Sequence, residues 1–433
     1  MDVLPDSSGL ESLLSRLQRV TFDYFLNNAN PRNGLIADRT RVGSPASIAA
    51  TGFALGAYPI GVARGFISRA DAAARTLATL RFFWTAPHGP EPDATGYKGF
   101  YYHFLDMRNG RRAWKCELST VDTALLLAGV LAAGAFFRED DEAEAEIRRL
   151  ADALYRRTDW RWAQNGGAMV THGWRPEKGF LRYHWQGYDE ALILYILGLG
   201  SPTFPLPPES YRAWLSGFRW KKIYGREFLY AGPLFVHQFS HAWIDFRGIR
   251  DDFMRSRGSD YFENSRTATY IQREYAIRNP RHFAGYGEHC WGISASDGPG
   301  PMKWNFRGRV QRFAGYLARG VPYGPDDGTL SPSAAIASLP FAPEIVLPAV
   351  ASFRALGVQR GNPSSFISSF NLSAPDPNGG EHGWVAPEEI GISQGAMALM
   401  IENYRSGLLW RLMRSCPYIV QGLRRAGFCG GWL

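Results

Sequence analysis

The sequence predicts an all-α fold, an (α/α)6 barrel with long loops and a short β-hairpin at its active-site end. Three observations point there. Roughly a dozen segments carry apolar residues at helical spacing. Segments that are apolar all round tend to alternate with amphipathic ones, as a buried inner layer and a half-exposed outer layer require. The connections between them are long and dense in Gly, Pro, Asp and aromatics, and loops of that kind usually carry function. No repeat or linker interrupts the 433 residues, so residues 1–433 are read as a single domain.

The elements follow in order. Residues 10–27 form a first helix, broken by Asn-Pro-Arg-Asn-Gly. Ser47 opens a nearly all-apolar helix through residue 57, and Ser68 caps another running to about residue 84. Alternating aromatics at 99–105 form a hairpin turned at Asn109-Gly110. An apolar helix then covers 119–137, and a charged amphipathic one covers 141–157. Residues 160–184, rich in Trp, Gly and Tyr, read as irregular loop or hairpin. Asp189 caps an apolar helix with Glu190 in its first turn. Further helix signals lie at 208–217, 232–246, 263–278, 333–356, 391–413 and 416–426.

Hydrophobic residues at 45 % supply a sizeable core, and charged residues at 20 % are too few for a disordered chain. Aromatics reach 14 %, with 14 Trp and 20 Tyr; stacking on sugar rings and a large aromatic core both fit. The net charge of +8 is spread among acids without a long basic run, so a nucleic-acid partner is not indicated. Cys116, Cys290, Cys416 and Cys429 show no zinc spacing and neither demand nor exclude a disulfide. No apolar run is long enough to insert in a membrane. The start of the chain lacks the basic and apolar regions of a signal peptide, which implies a protein kept in the cell or one whose signal was lost. P-loop, dinucleotide and GxSxG motifs are absent, and no cofactor is expected.

Carboxylates at element ends, flanked by aromatics, suit glycoside hydrolysis, which uses a carboxylic acid and a carboxylate on either side of one bond. Glu117, just ahead of an inner helix, is such a candidate, and so is Glu190, behind Trp185, Tyr188 and Asp189. Asp106 precedes the hairpin turn and also reads as turn chemistry. Asp122 completes Ser119-Thr-Val-Asp122, a capping box that would spend its carboxylate on a backbone N–H.

Sugar-binding candidates are Tyr102 and His103 on the hairpin, Trp185, Tyr188 and Asp189, and Trp291 and Asp297 in a late loop. Asp326 and Asp327 lie in a similar loop, where turn formation is the simpler reading. His237, His241 and Asp245 fall on one face of the expected 232–246 helix. With Gln238 they read as a polar row lining a pocket rather than a metal site. Glu402 and Arg405, within a late apolar helix, either pair with each other at i, i+3 or bind substrate.

Several long motifs resemble a known family. They are Asn33-Gly-Leu-Ile-Ala-Asp38-Arg39, residues 47–53, Tyr97 to Asp106, Glu117 to Leu126, Gly187-Tyr-Asp-Glu190-Ala, His237 to Arg247, and Ile401 to Gly407. Together, over about residues 15–413, they resemble the bacterial glucoamylase-like family. That family includes endo-β-1,2-glucanases and is related to the glycoside-hydrolase-like region of cyclic β-1,2-glucan synthases. The resemblance implies an (α/α)6 barrel and endo-acting, inverting hydrolysis of β-1,2-glucan. It matches Glu190 to the general acid, and Glu117 and Asp106 to acids important for activity. One departure stands out: relatives often carry Asp where this chain has Ser393. The base would then be Glu117, Asp106 or a loop acid such as Asp376, Glu381 or Glu388. A transglycosylase or a non-catalytic glycan-binding protein are the alternatives.

Overall fold

Burial follows the expected alternation of helix types. The computed structural model describes residues 7–358, 366–376 and 383–433; Glu381 lies outside the described residues. Among them the helices are α1 (Ser7–Asn27), α2 (Ile48–Ala63), α3 (Arg69–Thr85), α4 (Thr120–Phe136), α5 (Glu142–Arg156), α6 (Leu192–Gly200), α7 (Pro208–Leu215), α8 (Asp252–Arg255), α9 (Tyr261–Arg278), α10 (Pro332–Ile336), α11 (Pro343–Ala355), α12 (Gly391–Arg405), α13 (Leu408–Arg414) and α14 (Pro417–Arg425). Strands are short throughout.

α2, α4, α6 and α12 are buried along most of their length. They pack side by side in the order α12, α2, α4, α6, with α10 on the other flank of α12. A second layer covers them: α1 on α12, α3 and α5 on α2 and α4, α14 on α6, α11 on α10. α5 shows why it stays outside. Ile147, Leu150, Ala151, Leu154 and Tyr155 make one apolar stripe, and charges occupy the rest. α2 and α4 cross at glycines. A Cβ on Gly129 would lie 2.0 Å from the Gly52 carbonyl oxygen, and one on Gly52 would lie 2.5 Å from that of Leu125. Apolar side chains divide into a large core around α2, α4 and α6 and a second around α10, α11 and Trp291.

Several expected boundaries shift for local reasons. The hairpin turns at Lys98-Gly99, both at positive φ, joining Gly96–Tyr97 to Phe100–Tyr102. The Asn109-Gly110 turn is closed by one bridge, Leu105 to Arg112, because the Asp106 carboxylate takes the N–H groups of Arg108 and Asn109. Phe100–Tyr102 pairs instead with Leu118–Ser119, which continues through Gly173–Arg175 to Gly179–Phe180 as a small antiparallel sheet.

Residues 232–246 do not form an α-helix. They make two 3₁₀ turns, Leu234–His237 and Ser240–Ala242. The first N–H groups there bond outward, Leu234 to the Ile293 carbonyl and Phe235 to Ser294 Oγ. The 333–356 signal splits at Pro343, and the 391–413 signal splits at Gly407, which takes φ +70°.

Candidate active site

The N-terminal ends of α4, α10 and α12 border one cavity of about 180 Å³. Its wall takes Val121, Asp122 and Leu125 from α4, Phe235 from the first 3₁₀ turn, Gln238 and Phe239 from between the two turns, Ser333 and Ala334 from α10, and Ile392, Ser393 and Ala396 from α12. Glu190 enters from just ahead of α6, and His103, Ala295 and Tyr316 complete the rim. Helix N-termini carry partial positive charge, so the enclosure favours anionic groups.

Glu190 is not in the first turn of a helix. Asp189 accepts the Ala191 N–H at 3.0 Å and the Trp214 indole N–H at 3.1 Å, and the helix starts only at Leu192. Asp189 is thereby committed to structure, and burial, with the Glu190 charge beside it, holds its carboxyl well above the usual range. Burial pushes the Glu190 carboxyl up to about 7, and the nearby charge of Asp122 adds to the effect.

Asp122 corrects the capping-box expectation. Ser119 does cap α4, its Oγ accepting the Asp122 N–H at 3.2 Å. The Asp122 carboxylate, however, accepts the Ser119 hydroxyl rather than a backbone N–H and lines the cavity with Glu190. Among the described residues these are the cavity's two carboxylates.

Behind Asp122 runs a chain of ionic contacts. His103 Nε2 lies 3.6 Å from Asp122 Oδ2, and His103 Nδ1 lies 3.0 Å from Glu117 Oε1. Arg175 donates to Glu117 Oε2 at 3.3 Å. Burial alone would lower the His103 pKa, but Asp122 and Glu117 outweigh it and raise it to about 9, so the ring is an imidazolium at neutral pH. The His103 hydrogen bond brings Glu117 down to about 2. Glu117 therefore stands one residue behind the cavity wall, held by two cations.

Most of the other predicted site residues lie elsewhere. Asp106 is occupied in its turn. Tyr102 is buried, with the Arg112 guanidinium 4.7 Å from its ring centre. Trp185 stacks on His172 and donates to Thr120 Oγ1 at 2.9 Å. Tyr188 packs among Phe218, His237 and Tyr261.

His237, His241 and Asp245 do not share a helix face. His237 Nε2 meets the Ala231 carbonyl, His241 Nε2 meets Ser265 Oγ, and Asp245 is held by Arg247 and Arg414. Gln238 does reach the cavity wall, its amide fixed by the Ala334 carbonyl and Ser338 Oγ. Trp291 is fully buried in the second core.

Glu402 and Arg405 do not pair. Arg64 grips Glu402 at 2.8 and 2.9 Å, while Arg405 bonds Gln18 and Glu11. At about 1.5 Å per residue Glu402 is ~14 Å along α12 from Ser393, at the end away from the cavity. Asp326 accepts the hydroxyls of Tyr275 and Tyr286, and Asp327 holds buried Arg319.

Asp297 belongs to a knot at the rim. Arg39 reaches Asp38 at 3.1 Å, Asp297 at 3.0 Å and Glu388 at 3.2 Å, and Arg41 also binds Glu388. Sequence reasoning missed this knot and Tyr316. Arg39 and Asp38 sat inside a quoted motif, which was the available signal; Tyr316 had none.

Layered helices with a carboxylate-lined cavity at one end are consistent with an α/α-barrel glycosidase fold. The chain belongs to the family described as "Glycoamylase: Putative glucoamylase", whose model matches residues 182–417. A "putative glucoamylase" from Bacteroides uniformis is 32 % identical, with a TM-score of 0.85 and 98 % of each chain covered. An endo-β-1,2-glucanase from Chitinophaga pinensis, solved with sophorotriose and glucose, is 28 % identical with a TM-score of 0.85, covering 98 % of this chain and 99 % of that one. An exo-β-1,2-glucooligosaccharide sophorohydrolase (non-reducing end) from Parabacteroides distasonis is 28 % identical over 460 residues. That match covers 96 % of this chain and 58 % of the relative, so the chain spans little more than half its length.

Proposed function

We propose that the protein is a β-1,2-glucan hydrolase built as a single-domain (α/α)6 barrel, in which Glu190 is the general acid and Asp122 the partner carboxylate. The observation that carries the reading is the pair itself: two carboxyls lining one cavity, one of them pushed up to about 7. A protonated acid at neutral pH can give its proton to the glycosidic oxygen as the bond breaks. Asp122, held beside the His103 imidazolium, draws a proton from the attacking water or stabilises positive charge at the sugar carbon. Three of the other acids considered as base are occupied: Glu117 by His103 and Arg175, Asp106 by turn N–H groups, Glu388 by Arg39 and Arg41. The names of the relatives support the β-1,2 linkage, and they include both exo and endo action. Endo cleavage with inversion is the reading kept here.

Product analysis on linear and cyclic β-1,2-glucan tests it, because a ring has no end and only endo action opens it. Glu190→Gln and Asp122→Asn should each lower kcat by about 10²–10⁴-fold with the fold intact by circular dichroism. Full activity in Glu190→Gln removes that residue from the role, and no product from any β-1,2-glucan refutes the substrate. Ser393 on the cavity wall favours a second reading, transglycosylation. Longer or cyclised chains made from linear glucan would reveal it.

A further inference from the structure

Residues 298–325 contain no aspartate or glutamate and five basic residues. One of these, Arg319, is buried and gripped by Asp327 at 2.6 and 2.8 Å. The other four, Lys303, Arg307, Arg309 and Arg312, are exposed on a two-stranded ribbon, Met302–Phe306 against Arg309–Phe313. Among the described residues no carboxylate pairs with any of them. The register sets Lys303 directly opposite Arg312. Like charges facing each other across two strands are destabilising, and among the described residues only the base of this two-stranded ribbon, Met302 and Phe313, packs on a core cluster, with Ala374, Trp384 and Ala386. The ribbon also leaves Trp304 44 % and Val310 70 % exposed. Cations set against each other beside exposed apolar surface are what a partner that is both anionic and partly apolar would relieve.

The ribbon's base lies on the cavity rim. Gly300 N–H bonds the Ala314 carbonyl, Ala314 N–H bonds Asp327 Oδ2, and Ala295–Ser296 pairs with Leu317–Ala318. Ala295 and Tyr316 line the catalytic cavity. Five residues at ~3.4 Å each carry the arm about 17 Å from the rim. We propose that this ribbon is a binding arm for glycan chains bearing anionic groups, engaging the part of the chain outside the cavity. Trp304 and Arg309 share one face of the ribbon, and Lys303, Arg312 and Val310 the other; a sugar ring meets Trp304 with a phosphate or carboxylate substituent at Arg309, and the opposed cations take substituents on the second face. This rests on the glucan-hydrolase reading for its choice of backbone. A neutral glycan would leave all four cations without a partner.

The test compares linear β-1,2-glucan with the same glucan lightly carboxymethylated, at low and high salt, for the full chain and for K303E/R307E/R309E/R312E. For the unaltered protein at low salt, KM for the carboxymethylated glucan should be about tenfold below that for the neutral one, each exposed ion contact being weak. High salt should close the gap, since exposed charges are then screened. The charge-reversed variant should keep its KM for neutral glucan and lose the preference. Equal KM values in the unaltered protein, or a preference that survives charge reversal, overturn the arm and leave the hydrolase reading standing. Ribbon-dependent binding to anionic phospholipid vesicles without any effect on glucan also overturns it. If neither glucan is cleaved, the hydrolase reading fails, and retention on immobilised carboxymethyl glucan decides the arm alone. Salt-sensitive retention lost in the variant supports it, and equal retention refutes it.

Discussion

His103 shows how one ring sets the pH behaviour of a site. Glu117 faces its Nδ1, Asp122 its Nε2, and Asp38 lies close enough to act on it. Beyond Asp122 stand Glu190 and then Asp189. In the proposed reaction Glu190 must be protonated, so activity is expected to fall as pH rises through about 7. Replacing His103 by Gln removes the cation that offsets Asp122. Asp122 then repels the Glu190 anion more strongly, and the alkaline limb of kcat/KM against pH should move upward. An unmoved limb would place His103 outside the electrostatics of the acid. Stability has the opposite dependence at its two ends. His103, raised, contributes below its ordinary pKa and loses that contribution as pH climbs through about 9. Glu117, lowered, contributes above its ordinary pKa and loses it as pH falls toward about 2.

Among the elements, the α2–α4 crossing is the least forgiving contact. Gly129 meets the backbone of Gly52, not the end of a flexible side chain. Gly129→Ala should cost about 1–3 kcal/mol by forcing the helices apart, read as a lower denaturant midpoint. Because Asp122 starts α4, the same change should also lower kcat. Several helix starts were legible in the sequence: Ser47, Ser68 and Ser119 each accept the N–H expected of a cap, whereas the helix expected to start at Asp189 begins only at Leu192. The largest misreading has a non-local cause. Residues 232–246 have helical spacing, yet their backbone and side-chain groups bond to neighbours distant in sequence, such as Ile293, Ser294 and Ala334. Periodicity reports local preference and carries no word of such partners.

For the molecule as a whole, the layering was legible because burial writes itself into composition: α2, α4 and α6 are apolar all round and α5 is not. The site was legible by half. Glu190 does line the cavity, and the carboxylate that lines it with Glu190 is Asp122, while Glu117 lies behind it against His103 and Arg175. Both orientations satisfy a capping motif, and only packing decides whether the carboxylate turns to the backbone or to the cavity. The aromatic content resolved mostly toward core, as buried Trp160, Trp214, Trp243 and Trp291 show. Spread charge was the right reading for the chain at large and hid the acid-free ribbon at 302–313.

The Arg39 knot has a kinetic consequence. One guanidinium ties residues 38, 297 and 388, far apart along the chain, into a single cluster. Segments joined in this way open together or not at all, so their amide hydrogens should exchange with deuterium at a common rate. Arg39→Lys keeps the charge but loses the fork that reaches several acids at once. In that variant the three segments should exchange independently and faster, while α4 keeps its protection. The opening of all three segments would then be timed by one arginine letting go.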